Sequence, residues 1–295
     1  MFALSFSALA LSVACAVAFS GSDYFRKAVP AACSVPLVLF YMVSGQVPIL
    51  ALWLWFSGNF SISGTYALPG LAAAVAGLAA NLLFIRAVRL SPLSLMVPLL
   101  GAIPAVTALF GGIILGEWPS DLQMIGIVLV TTGLVTLYVP SSGKFRVGTL
   151  LRNIRREPGA KPMFGVVLLW SLVPPLDKIC VDISSVGMHG LIQLLFIGTA
   201  TGLWLLFTGG PKAFAAPREA TSPLVGAALT AGLAYGFQLA AYQIALVAVV
   251  ELFKRSIGMV GSLILGRAMF GEPLTVPKLL GVTIMAIGLP FVFLS

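Results

Sequence analysis

Tyr242–Leu289, with Ala245, then Gly271-Glu272-Pro273, then Gly281 and Gly288, repeats an earlier stretch, Phe84–Leu134. The earlier copy reads Ala87, Gly116-Glu117-Trp118-Pro119, Gly126 and Gly133. From Gly-Glu onward the offset is constant at 155 residues (116 to 271, 126 to 281, 133 to 288); upstream it is 158 (84 to 242, 87 to 245). The difference is a short gap between two paired helices. Spacing held over roughly 50 residues marks an internal duplication. Phe19–Lys27 and Trp170–Lys178 agree at an offset of 151, each opening aromatic-Ser and closing on a charged residue followed by Lys. The halves are 1–140 and 163–295, joined by a basic segment, 141–162.

Composition decides the solvent. Of 295 residues 59% are hydrophobic and 9% charged, with a mean hydropathy of +1.07. A soluble domain carries about 25% charged residues, so the excess apolar surface faces lipid. Cys15, Cys33 and Cys180 lie in apolar segments without C-x-x-C spacing, which indicates neither a disulfide framework nor a metal site. A single histidine, His189, removes most histidine-based catalysis and metal chemistry. No cofactor is implied. The net charge of +8 would suit nucleic acid, but the bases sit in loops between apolar runs, so the partner is the bilayer.

The first twenty residues are apolar yet lack the Lys or Arg that opens a signal peptide. They also have a counterpart at 163–181, and are read as a membrane helix. A spanning helix needs ~20 mostly apolar residues, which predicts ten: 4–28, 33–56, 66–88, 91–115, 120–139, 163–182, 188–208, 223–245, 248–270 and 274–294. Five helices per half is an odd number, so the second half enters the bilayer from the opposite side. The expected fold is an all-α polytopic membrane protein of ten transmembrane helices in two inverted five-helix repeats, an architecture of secondary transporters. Glycines recur through these helices, including Gly112-x-x-x-Gly116, where small residues let membrane helices approach closely.

These residues resemble the drug/metabolite transporter superfamily, in its ten-helix, EamA-type branch. The twofold Gly-Glu signature, the glycines after it, and Lys27 and Lys178 in the first helix of each half carry the resemblance. It implies an alternating-access carrier of small organic solutes with a central cavity, often proton-coupled. No ATP-binding loop of the Gly-x-x-x-x-Gly-Lys kind is present. The resemblance leaves room for a flippase of lipid-linked or amphipathic substrates as the alternative. It does not imply an enzyme, and no His/Asp or Ser/Lys constellation repeats at catalytic spacing. The Lys254-Arg255 pair is similar to one that holds phosphate in the triose-phosphate and nucleotide-sugar branches, whereas the aligned stretch of the first half, near Leu95–Pro98, is uncharged.

An ionisable residue at the centre of a membrane helix costs ~2.5–3.5 kcal/mol, so each one needs a reason. Glu251, Lys254 and Arg255 share one helical face at i, i+3 and i+4. Two readings stand: an internal ion pair that makes the helix insertable, or a substrate site for an anionic group oriented by Glu251. Asp23 with Arg26 and Lys27 repeats that spacing, and Asp177 lies beside Lys178. Asp23 and Asp177 are either structural partners or carriers of a coupled proton. Tyr24, Asn81, Trp170, Gln238 and Tyr242 are the remaining substrate-lining candidates, with packing as the alternative for the aromatics. Glu117 and Glu272, at helix-connecting turns, are expected to cap the helices that follow them. His189, in the turn between helices six and seven, is expected at the solvated surface.

Lys and Arg cluster in one set of loops: Arg26/Lys27, Arg86/Arg89, six in 140–162, Lys212/Arg218 and Arg267/Lys278. The other set (57–63, 116–120, 183–190 and both termini) carries almost none. The positive-inside rule then makes 140–162 cytoplasmic and both termini external. The implied home is a cell membrane, the inner membrane of a bacterium.

Overall fold

In an apolar solvent every backbone N–H and C=O must be paired within the protein, which restricts spanning segments to helices or closed barrels. The computed structural model describes residues 6–30, 32–91, 97–137, 157–270 and 275–293. Those residues form ten α-helices and no strand: α1 (Phe6–Ala28), α2 (Val35–Ser57), α3 (Ala67–Leu90), α4 (Ile103–Leu115), α5 (Asp121–Thr136), α6 (Ala160–Asp182), α7 (Val186–Gly209), α8 (Thr221–Ile244), α9 (Val247–Phe270) and α10 (Val276–Phe293).

Each expected helix is found, most within three residues of its expected ends. The fourth differs. Among its described residues Ile103–Leu115 is α-helical, and a 3₁₀ turn, Val97–Ala102, precedes it. Pro104 in the first turn of α4 explains the break, since proline has no N–H to give a preceding turn. Six helices (α1, α2, α3, α6, α7 and α8) are long and apolar enough to cross a membrane. Segments 99–115, 121–136 and 276–292 are apolar but shorter. The 24-residue α9 is interrupted by Glu251, Lys254, Arg255 and Arg267. Leu52, Trp55, Phe56, Ile113, Val128 and Phe207 are all exposed, as a lipid-facing surface requires.

The helix ends follow from local residues. Ser34 Oγ accepts from Leu37 N ahead of α2, and Ser185 Oγ from Met188 N ahead of α7. Ser120 and Gln123 form a reciprocal capping box on α5. Gly58 and Gly116 close α2 and α4 in the left-handed region, at φ 61° and 70°.

Contacts group the chain into two units, each drawing on both sequence halves. One takes in Val75–Pro175 and Ala245–Ser295; the other takes in Ser7–Ala74 and Leu176–Ile244. In α6 the boundary falls directly after Pro174-Pro175, where two backbone donors are missing.

In the first unit α5 and α10 lie antiparallel, backbone against backbone. A Cβ added at Gly133 would stand 2.7 Å from Gly281 O, and one at Gly281 would stand 2.7 Å from Gly133 O. Gly126 and Gly288 meet the same way, at 2.9 and 3.1 Å. These are the four glycines of the repeat. Gly126 matches Gly281 in sequence but touches Gly288, and Gly133 matches Gly288 but touches Gly281. A contact in which each member meets its partner's counterpart has the form of a two-fold interface. Beside it, Ala87, Leu100, Ile103, Met163, Val166 and Val167 make a core cluster.

In the second unit α2 is central. Gly187 and Gly190 of α7 sit on Leu54 and Leu50 of α2, in antiparallel sense. Gly45 meets Ala228, and Gly232 and Gly236 of α8 sit on Ile49 and Trp53.

Because two of the three atoms nearest a Cβ at Gly133 are backbone, Gly281 O and Met285 N, a larger residue there has little room to push. Gly133→Val is expected to cost about 1–3 kcal/mol as overpacking, read as a lowered unfolding temperature in detergent. Gly77→Ala is the control, since nothing lies within 4 Å of a Cβ there and no loss is expected.

Candidate functional site

The charged cluster of the first unit is built from the start of α9. Its first backbone donor, Val247 N, is held by Glu117 Oε2 at 3.3 Å. Glu117 is therefore a cap, but for α9 rather than for α5, the helix that follows it. The capping box of Ser120 and Gln123 already occupies the start of α5, leaving the carboxylate for the positive end of another helix. Glu272 lies outside the described residues. So do five of the six bases of the central loop; the sixth, Lys161, is in the first turn of α6.

Four residues beyond Val247 comes Glu251, 1% exposed. Lys254 Nζ donates to Glu251 Oε1. Arg255 Nε stands 3.9 Å from Glu251 Oε2, too far for a hydrogen bond, and this buried atom has no hydrogen-bond partner. The side chains of Lys254 and Arg255 are only 15% and 21% exposed. Leu252 and Phe253 beside them are fully enclosed. Two cations thus share one carboxylate about 10 Å along α9, at the 1.5 Å rise of an α-helix. The expected common face of the three residues is present. The formal charges of these three residues sum to +1, and the Arg255 Nε–H has no hydrogen-bond partner among the described residues.

Also in this unit, Asn81 Nδ2 donates to Gly77 O of its own helix at 2.8 Å. Trp170 lies against Phe84 with ring centroids 5.3 Å apart, at the border of the core cluster. Its partner in the structure is thus another aromatic ring.

The second unit holds the other candidates. Asp23 Oδ1 accepts from Arg26 Nη2 at 2.7 Å, with both side chains about half exposed (45% and 57%). Tyr24 makes an edge contact with Phe25 at 5.3 Å. Gln238 and Tyr242 are buried on α8. Asp177 is 2% exposed and bonded to His189, Oδ1 to Nε2, at 3.0 Å.

That bond corrects the expectation for His189. Instead of lying at the surface, it is 0% exposed, the fourth residue of α7, with Tyr66 Oη 2.7 Å from Nδ1. Ser185 starts α7 early enough to bring His189 inside the helix. Gly187 and Gly190 then draw that turn onto α2. One signal was available in the sequence: His189 and Gln193 at i, i+4 put two polar groups on one face of an apolar helix. Gln193 follows that face, donating to Gly70 O at 3.0 Å.

Further bonds tie the loop before α3 to the turn before α7. Ser63 N donates to Ile183 O at 3.0 Å, Ser185 Oγ to Asn59 O at 2.8 Å, and Ser61 Oγ to Ser184 O at 3.3 Å. Among the described residues no three His, Cys, Asp or Glu side chains gather as a metal ion would require.

Comparison with known proteins bears on both units. Residues 6–139 match the model of the EamA-like transporter family. A solved crystal structure is similar at a TM-score of 0.77 over 97% of this chain and 96% of that one, with 13% identity. At that identity the likeness is one of fold. No curated protein matches.

The Glu117 contact has a consequence for stability. Glu117→Ala removes the carboxylate from the N-terminus of α9 and is expected to cost about 1 kcal/mol, the usual worth of a cap. Thermal unfolding of the purified protein measures it, and Glu117→Asp, one methylene shorter, is expected not to rescue the loss.

Proposed function

We propose that this chain, a member of the EamA-like transporter family through residues 6–139, is a secondary-active carrier of a small organic anion. The observation that carries the reading is the cluster on α9. A buried guanidinium N–H without a partner among the described residues is costly in a membrane helix, and an oxyanion relieves it. Arg255 offers a planar fork that grips a carboxylate or phosphate bidentately, while Lys254 supplies a mobile point charge. Glu251 holds the two apart and keeps the empty site from carrying both charges uncompensated. Asn81 and Trp170 join this proposed substrate-facing set in the same unit, and Tyr24, Gln238 and Tyr242 are proposed as substrate-facing in the second unit.

Alternating access follows from inverted repeats, 1–140 and 163–295, joined by 141–162. The exchange of partners among the four repeat glycines supports that symmetry, because an antiparallel two-fold contact relates elements of opposite direction. Coupling to a proton would use Asp23 or Asp177. In the proposed orientation, in a bacterial inner membrane, 141–162 is cytoplasmic and the segments 57–63, 116–120 and 183–185 are external.

Substrate binding tests the first claim. A metabolite pool is screened for thermal stabilisation of the parent, and isotherms are taken with the anionic hits. Arg255→Lys keeps charge but loses the fork, and Arg255→Ala loses both. We expect affinity to fall about tenfold in the first, one lost hydrogen bond to a charged group, and further in the second. If Arg255→Ala and Lys254→Ala bind like the parent while melting several degrees lower, the cluster is an ion-pair staple.

Orientation has a separate test. The three native cysteines are buried, so labelling backgrounds are low. Ile62→Cys is expected to react with an impermeant maleimide outside intact cells, and Lys212→Cys is not. The reverse pattern overturns the orientation.

A further inference from the structure

The second unit buries a chain of three polar side chains that the anion site does not use. Tyr66 Oη, His189 Nδ1, His189 Nε2 and Asp177 Oδ1 follow one another at 2.7 and 3.0 Å, the two bonds lying on opposite sides of one imidazole. The three residues come from three elements: the 3₁₀ turn Gly64–Tyr66 before α3, the first turn of α7, and α6. Exposure is 5%, 0% and 2%. All three lie in helices apolar enough to cross the membrane.

Counting protons shows what this arrangement can do. With a neutral imidazole and an ionised carboxylate, Tyr66 donates to Nδ1 and Nε2–H donates to Asp177, and the chain carries one negative charge. One proton taken from hydronium, releasing water, brings it to neutrality in either of two forms. In one, imidazolium donates from both nitrogens, to Tyr66 Oη and to Asp177. Tyr66 Oη then accepts from Nδ1 and turns its own hydrogen away from the imidazole. In the other, the proton sits on Asp177 and imidazole stays neutral with its hydrogen on Nδ1. The bonds survive in both forms, so loading changes charge without dismantling the packing. A staple alone would need no titratable member.

We propose that Tyr66, His189 and Asp177 form a proton-loading site, with the proton shared between His189 and Asp177 and Tyr66 setting the tautomer. The site sits within about two turns of the helix ends that the 57–63 and 183–185 segments close, by the 1.5 Å rise per residue. Under the proposed orientation that is the external end, so protons enter from outside. The other titratable groups facing it are Cys180 on α6 and Tyr235 on α8. Lys178 is half-buried and Asp182 exposed further along α6. α2 places Leu50 and Leu54 against this turn of α7.

This deepens the reading of the chain as a proton-coupled carrier, but its test needs no substrate. The protein has one histidine, so [15N]histidine labelling of the whole chain in lipid nanodiscs gives a single pair of ring nitrogens. Their shifts separate the two neutral tautomers and the imidazolium. We expect both nitrogens to change as the pH is lowered, and Asp177→Asn to abolish or displace that change. A protonated-carboxyl infrared band that appears with acid and is lost in Asp177→Asn would equally locate the proton. If parent nitrogens keep one neutral tautomer throughout and no such band appears, the chain is a staple and the proposal fails. An unaltered titration in Asp177→Asn overturns the shared proton. Failure of the carrier reading is distinct: titration persists, but proteoliposomes show no anion flux under an imposed pH gradient.

Discussion

Lipid supplies no hydrophobic drive for one helix to seek another, so close backbone approach must hold this bundle together. Glycine makes that approach at each of the main helix contacts. α5 and α10 touch through Gly126, Gly133, Gly281 and Gly288, carbonyl facing α-carbon. α2 receives α7 and α8 on Gly187, Gly190, Gly232 and Gly236, where bulky Leu50, Leu54, Ile49 and Trp53 fill the room that the missing side chains leave. The bulky residues left over, such as Phe56, Ile113 and Phe207, are turned outward. In water that distribution would be a liability; in a bilayer it is the solvated state.

Against this background each buried charge stands out as an expense, and the chain meets it in two ways. On α9 one carboxylate is set between two cations, with the helix start pinned by Glu117. The remaining imbalance is positive. Around α7 one carboxylate is paired with a group that is charged or neutral according to its proton count. We propose the first arrangement for an incoming anion and the second for an incoming proton. Both rest in helices whose first turns are fastened to a loop elsewhere in the chain, which limits how far the side chains drift.

How much of this was legible differs by level. The ten helices were, because length and unbroken hydropathy are properties of a segment alone, and only Pro104 and its 3₁₀ prelude altered one boundary. The repeat glycines were legible as a repeat but not as partners, since offset says nothing about which copies touch. The Glu251, Lys254 and Arg255 face was legible because i, i+3 and i+4 are neighbours on any helix. Glu117 was read as a cap from its turn, but the helix it caps lies 130 residues away.

His189 shows where local reading stops. In a soluble helix the buried face is written as apolar periodicity, and a histidine off that stripe is exposed. In α7 both faces are largely apolar, so apart from the His189 and Gln193 pair the sequence carries little record of which side is inside. What the sequence by itself determined was therefore the solvent, the helices, the duplication and the family it resembles. Only tertiary structure decided which face of α7 turns inward, and thereby joined Asp177, His189 and Tyr66. It did so through close contact at Gly187 and Gly190, in a helix whose two faces differ little in hydrophobicity.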